Sequence, residues 1–350
     1  MTTPSDDERR TDMVTIDKDR PAGEGTKKSS WLSSRSHQLN EIGLVVAIIA
    51  LYVVLGLTAA GFMDGANQLG ILRDAATIGI AAWGVTLVII AGEIDISIGP
   101  AVAFASVVVA MGSTTWGFGI VGAVLLTLVL GIAWGALAGW LVAAFKVPSF
   151  IATLGLWSVL GGLGFYLTDA LPVVLPESGL FDLLGGSILG IPTSAVVMLV
   201  LFVVFVYIAK FTAYGRSIYA IGGNASAARL SGINLTKVRI LLFATTGLLS
   251  AITGILLAAR LGAGSGSAGS GLEFDIIAAV VIGGAALAGG RGTMLGTFLG
   301  VVFITVIGNG LVLLGVNSFL QDVIRGVIIV GAVLINALIG RRSAAAMRTS

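Results

Sequence analysis

The chain has no cysteine and one histidine, His37, among 350 residues. Without cysteine there is no disulfide framework and no thiolate metal site. The lone histidine lies in a polar N-terminal segment, so the apolar remainder holds no HExxH zinc site and no Ser/His dyad, which argues against membrane hydrolase chemistry. Charge is scarce too, at 11% of residues against roughly 25% in an average soluble domain. The net charge of +2 is too small to point to nucleic acid. None of the six lysines follows a glycine. The phosphate-binding loop GxxxxGK[ST] is therefore missing, and the chain does not hydrolyse ATP by that route.

What fills the sequence is apolar: 56% of residues are hydrophobic and the mean hydropathy is +1.03. Uncharged runs of about 17 to 22 residues recur, the length an α-helix needs to cross about 30 Å of hydrocarbon. They do not alternate as the strands of a membrane β-barrel would. Fifty glycines against seven prolines suit helices whose backbones approach closely. The expected fold is an all-α integral membrane protein, a polytopic bundle of about ten transmembrane helices, with eight or nine full crossings as the alternative.

The spans are placed near 42–62, 75–91, 97–113, 118–141, 150–168, 193–209, 239–259, 276–290, 293–314 and 322–340. The eighth is short and glycine-rich and reads as a short or re-entrant helix. Residues 1–40 read as a disordered polar cytoplasmic tail, 41–340 as one transmembrane domain and 341–350 as a cytoplasmic C-terminal tail. The first apolar run starts only at Ile42 and is long enough to span, so it reads as an uncleaved anchor. With both termini cytoplasmic, 17 of the 20 Lys and Arg fall on the inner side, as the positive-inside rule requires.

Charge inside such a chain is informative. Ala91 to Pro100 reads AGEIDISIGP, with Glu93 and Asp95 between two apolar runs. A carboxylate at membrane depth costs roughly 2.5 to 3.5 kcal/mol on insertion scales. Two readings fit: solvated carboxylates at the interface, or a lining or hinge in a broken helix, where irregular backbone borders protein or water. Two residues apart, they would point to different sides of a helix and need not act as a pair. Asn309, Asn336 and Arg325 read first as hydrogen-bond donors between helices.

Two loops are long. Asp169 to Pro192 holds three prolines among apolar residues and suggests a structured outer cap or docking surface. Thr212 to Val238 carries, on this reading, a single short helix at about Ala225 to Ser231, capped by Asn224 and ended by Gly232. It would form a knob on the cytoplasmic face. The stretch LGAGSGSAGSG at 261–271 satisfies GxGxxG but follows a membrane helix rather than a strand, so it is expected to be a flexible outer linker.

Three segments together resemble the ribose-type sugar permeases of bacterial ABC importers: AGEIDISIG, the loop GGNASAARLSGI from Gly222 to Ile233, and LEFDIIAAVVIGGAALAGGRGTMLGTFLG from Leu272 to Gly300. Glu93 stands where that family commonly has glycine. The resemblance spans about residues 42 to 340. It implies a permease subunit that binds cytoplasmic ATPase subunits, pairs with a second copy or paralogue, and receives a monosaccharide from an extracytoplasmic binding protein. No cofactor is implied for this chain, ATP being used by the partner subunit. Glu93, Asp95, Ser97, Asp275 and Asn309 become substrate-path candidates, and Asn224, Ala227, Ala228, Ser231 and Gly232 candidates for an ATPase-coupling helix. The competing readings are an ABC permease for branched-chain amino acids and an ion-coupled secondary transporter using Glu93 or Asp95.

Overall fold

The structure is a computed structural model that describes the backbone of residues 25–331 and 334, with side chains from Asn40 onward. Internal contacts divide the chain into residues 1–39 and 40–350. The helices, in chain order, are α1 (Gly25–Thr58), α2 (Gly65–Ile90), α3 (Ile98–Thr114), α4 (Gly119–Phe145), α5 (Ser149–Thr168), α6 (Gly179–Gly185), α7 (Thr193–Phe211), α8 (Ala213–Gly223), α9 (Ala225–Leu230), α10 (Leu235–Leu261), α11 (Leu272–Ile282) and α12 (Met294–Leu313). Residues 318–331 are also helical.

Among the described residues, seven helices are long and apolar enough to cross a membrane: residues 40–58 of α1, then α2, α4, α5, α7, α10 and α12. Of the other three expected spans, the third meets the 17-residue α3, the eighth meets α11, and the tenth meets residues 318–331. Residues 1–24 of the expected tail, Asn336 and the segment 341–350 lie outside the described residues.

Glycine sets how closely the central helices pack. Gly131, Gly135 and Gly139, spaced by four on one face of α4, lie against Gly247, Phe243 and Ile240 of α10. A Cβ on Gly135 would collide with the Phe243 carbonyl, so backbone meets backbone as in small-xxx-small packing. α2 threads the interior, with sixteen of its residues buried. Its Trp83 indole donates to the Met198 carbonyl of α7 at 3.2 Å, and the hydroxyls of Thr86 and Thr297 meet at 2.8 Å.

One expectation is corrected here, and the bounds of another. The Gly/Ser stretch after α10 is not a free linker. Ala263–Gly264 (β4) pairs antiparallel with Val173–Val174 (β1), and the Ser106 hydroxyl holds both the carbonyl and the amide of Ser265 at 3.1 Å. Gly264 packs on Ser106 and Ala110, and Gly269 on Gly99 and Ala103, so the chain runs back along α3. There is room only because these positions carry no side chain.

The eighth span is a short helix, as expected, but with other bounds: α11 covers Leu272–Ile282 rather than 276–290. α11 is 11 residues long, about 16 Å, and is followed by a glycine loop with Gly284, Gly289, Gly290 and Gly292 at positive φ. The extended stretch and half helix together make one discontinuous segment, tolerated because it is buried in protein.

The cap expected at 169–192 is structured. It comprises β1, then α6 capped by Ser178, whose hydroxyl accepts from the Leu180 and Phe181 amides, then a hairpin of Ser187–Ile188 (β2) and Ile191–Pro192 (β3).

Candidate functional site

α2 ends at Ile90, Gly92 takes φ +79°, and the chain runs without helix to Ser97 before α3 begins. This break is buried: Glu93, Asp95 and Ser97 are 7%, 4% and 5% exposed. Its backbone polar groups must be satisfied within the protein, and hydroxyls from the first turns of α5 do so. Ser149 accepts from the Ile94 amide at 3.0 Å. Thr153 accepts from the Ile96 amide and donates to the Ile94 carbonyl, each at 3.3 Å.

Asp95 is a brace. Its Oδ1 accepts from the amide and the hydroxyl of Ser97 at 3.0 and 2.7 Å, and its Oδ2 accepts from the Thr246 hydroxyl of α10 at 2.8 Å. One carboxylate thus fixes the start of α3 and joins it to α10. Glu93 turns elsewhere, its Oε1 lying 2.7 Å from Arg239 Nε near the start of α10. The two carboxylates serve different partners, as their spacing implies.

Asp275 and Asn309 are not at this break. Asp275, in the first turn of α11, pairs with Arg325 at 2.7 Å, and Arg325 also reaches Asp322 at 3.4 Å. Asn309, in the last turns of α12, exchanges two amide hydrogen bonds with Asn67 in the first turn of α2, at 3.1 and 2.8 Å. Both line a cavity of about 300 Å³ with Asp74, Thr305, Gly308, Gln321 and Arg325. The five substrate-path candidates therefore fall into two groups: Glu93, Asp95 and Ser97 beyond one end of α2, and Asp275 and Asn309 around a cavity nearer its other end.

Sequence reasoning passed over Glu273, although it is a charge inside an apolar run. Glu273 is 2% exposed, and its Oε1 accepts from the Trp157 indole at 2.9 Å. Ser149, Thr153 and Trp157 recur every four residues, so one stripe of α5 holds both the break and the half helix.

The connection between α7 and α10 holds two helices, α8 and α9, rather than the single one expected. Thr212 caps α8 through its hydroxyl. Asn224 caps α9, its Oδ1 accepting from the Ala227 amide at 3.0 Å. Gly232 takes φ +84°. The Gly232 amide bonds the Arg229 carbonyl and the Ile233 amide the Ala228 carbonyl, at 3.0 and 3.1 Å, which together form a Schellman end. Ser231 donates to the Ala227 carbonyl at 3.0 Å.

Among the coupling candidates, Ala228 points inward. It is 4% exposed within the main core cluster, whereas Leu230 is 89% exposed and Ala227 and Arg229 are exposed beside it. The exposed residues of α9 are Ser226, Ala227, Arg229 and Leu230. This pair of helices rests on both irregular segments. The Gly290 amide donates to the Ile90 carbonyl at 2.8 Å, and a Cβ on Gly222 of α8 would strike that same carbonyl. The Tyr219 hydroxyl donates to the Gly292 carbonyl at 2.8 Å, and burial pushes its pKa up, which keeps the phenol a donor.

Residues 67–333 match the family described as the branched-chain amino acid transport system permease component. A probable ABC transporter permease protein of Escherichia coli, YphD, is 59% identical, covering 89% of this chain and 94% of its own length. The ribose import permease protein of Bacillus subtilis is 39% identical over 85% of this chain and 93% of its own. The xylose transport system permease protein of Escherichia coli is 33% identical over 88% and 94%. No solved structure matches significantly. With a family match over most of its length and relatives that align nearly end to end, the chain belongs to this family of ABC transporter permease components.

Proposed function

We propose that the chain is the transmembrane subunit of an ABC importer that moves a monosaccharide across the bacterial cytoplasmic membrane. Relatives named for ribose and xylose transport support a sugar over an amino acid, although the family description carries the amino-acid name. On this reading the chain makes ten crossings, with the discontinuous segment as the eighth. Both termini and the α8–α9 end are cytoplasmic, as the clustering of Lys and Arg there supports. The chain needs no cofactor of its own, because separate ATPase subunits use the ATP. A second copy or paralogue completes the path, and a binding protein delivers the sugar at the opposite face, near the cap 169–192.

The observation that carries the reading is α9. It is a short helix fixed at both ends, exposing Leu230 and resting through α8 on the irregular segments after α2 and α11. A push on such a knob reaches both breaks without crossing flexible chain. Nucleotide drives the switch only insofar as the ATPase dimer binds the two permease states with different affinity.

Gentle purification from native membranes tests this. An ATPase with a phosphate-binding loop is expected at about one per permease chain, with sugar uptake that stops when ATP is depleted. Recovery of the protein alone, with uptake that survives ATP depletion and follows an ion gradient, would make it a secondary transporter.

A further inference from the structure

The cavity of about 300 Å³ between α2, α11, α12 and residues 318–331 has no part in the bracing of the breaks, yet polar groups surround appreciable empty space there. Its polar lining is Asp74, Asp275, Thr305, Asn309, Gln321 and Arg325, and aliphatic side chains supply the rest. The volume is at the lower end of the range of about 300–1,000 Å³ for small-molecule pockets. It suits one small ligand.

Each lining carboxylate already faces a guanidinium group. Asp275 faces Arg325, and Asp74 lies 2.7 Å from Arg260, so neither carboxylate calls for a bound cation. Hydrogen-bonding capacity is what remains. Asn309 commits one amide N–H and one carbonyl lone pair to Asn67, which leaves one of each. Gln321 donates to the Val316 carbonyl at 2.7 Å, which leaves its Oε1 able to accept. The Thr305 hydroxyl donates to the Val301 carbonyl at 2.8 Å and can accept as well. Donors and acceptors on the uncharged side chains of Asn309, Gln321 and Thr305, beside aliphatic groups, match a neutral polyhydroxylated molecule with hydroxyl edges and C–H faces. α11 also begins here in mid-chain, and discontinuous helices recurrently form substrate sites in transporters.

We propose that this cavity is a monosaccharide subsite within a single permease chain, its hydroxyls held by Asn309, Gln321 and Thr305. The assignment rests on the importer reading above. It adds that this chain itself contributes to sugar selection, separately from any binding protein.

Gly308 provides the test. It lines the cavity, and a Cβ added there meets nothing within 4 Å, so the side chain of Gly308→Leu starts in open space and takes up cavity volume. The complete complex, with its ATPase and binding protein, would be reconstituted in vesicles and assayed with radiolabelled ribose and xylose. Gly308→Leu should cut ATP-driven uptake at least tenfold with ATPase recovery and melting temperature unchanged. Gln321→Ala should alter the ratio of the two sugars' KM values at least threefold, a change that loss of stability alone does not produce. Parent-level uptake by an assembled Gly308→Leu complex overturns the subsite. Should that variant fail to assemble, an unchanged KM ratio in Gln321→Ala overturns it instead. A parent complex that holds its ATPase yet imports no sugar from a panel of pentoses and hexoses counts against the sugar-importer reading itself, and the subsite goes with it.

Discussion

The indole N–H of Trp157 donates to Oε1 of Glu273 at 2.9 Å, tying the third rung of the α5 stripe to the first turn of the half helix α11. Glu273 is 2% exposed, its Oε2 has no hydrogen-bond partner among the described residues, and it lies against Gly99 in α3. One bond therefore meets in a place where α3, α5 and α11 converge.

Trp157→Phe keeps an aromatic ring, though a smaller one, and removes the donor. It leaves a buried carboxylate without its hydrogen bond, which costs about 1–3 kcal/mol. The purified protein should melt several degrees lower in detergent. Glu273→Gln keeps an acceptor for the indole and removes the charge, so it should melt at or above the parent. A Trp157→Phe protein that melts with the parent would show the bond to be energetically idle.

Asp95 allows brace and path lining to be separated. Asp95→Ala strips three hydrogen bonds from Ser97 and Thr246 and is expected to cost about 2–3 kcal/mol. Asp95→Asn keeps acceptor capacity and should retain most of the stability. Melting and sugar uptake should fall together, with Ala below Asn in both, while the chain still inserts and assembles. If Asp95→Ala melted like the parent but lost uptake, the carboxylate would be facing the substrate and the bracing role would be wrong.

The long helices were legible because an uncharged run of membrane length leaves a chain few alternatives. The break at Glu93 and Asp95 was legible for the same reason, since charge has to be accounted for there. Their partners were not. Thr246 lies 151 residues from Asp95 and Trp157 lies 116 from Glu273, and neither residue type signals such a contact. The stretch 261–271 misled because small residues serve two opposite ends: they free a linker from steric restraint, and they let a buried strand lie flat on a helix. Only Ser106 and Gly99, far away in sequence, decide between them. Ala228 misled similarly. A six-residue helix has too few turns to show an apolar stripe, so which side faces inward is set by the helices beneath it.

That orientation yields the sharpest check on the coupling knob. Leu230 projects from α9 at 89% exposure, so Leu230→Asp removes apolar contact area for a partner and adds a charge without touching the core. ATPase recovery on purification should fall at least fivefold, with the melting temperature of the permease unchanged. Ala228, packed inward, should behave oppositely. Ala228→Leu overfills its site and costs about 1–3 kcal/mol, so it should lower the melting temperature first and ATPase association only as a consequence. Normal ATPase recovery with Leu230→Asp would place the grip elsewhere on the α8–α9 connection. A loss confined to Ala228→Leu would mean that α9 holds the bundle together rather than its partner.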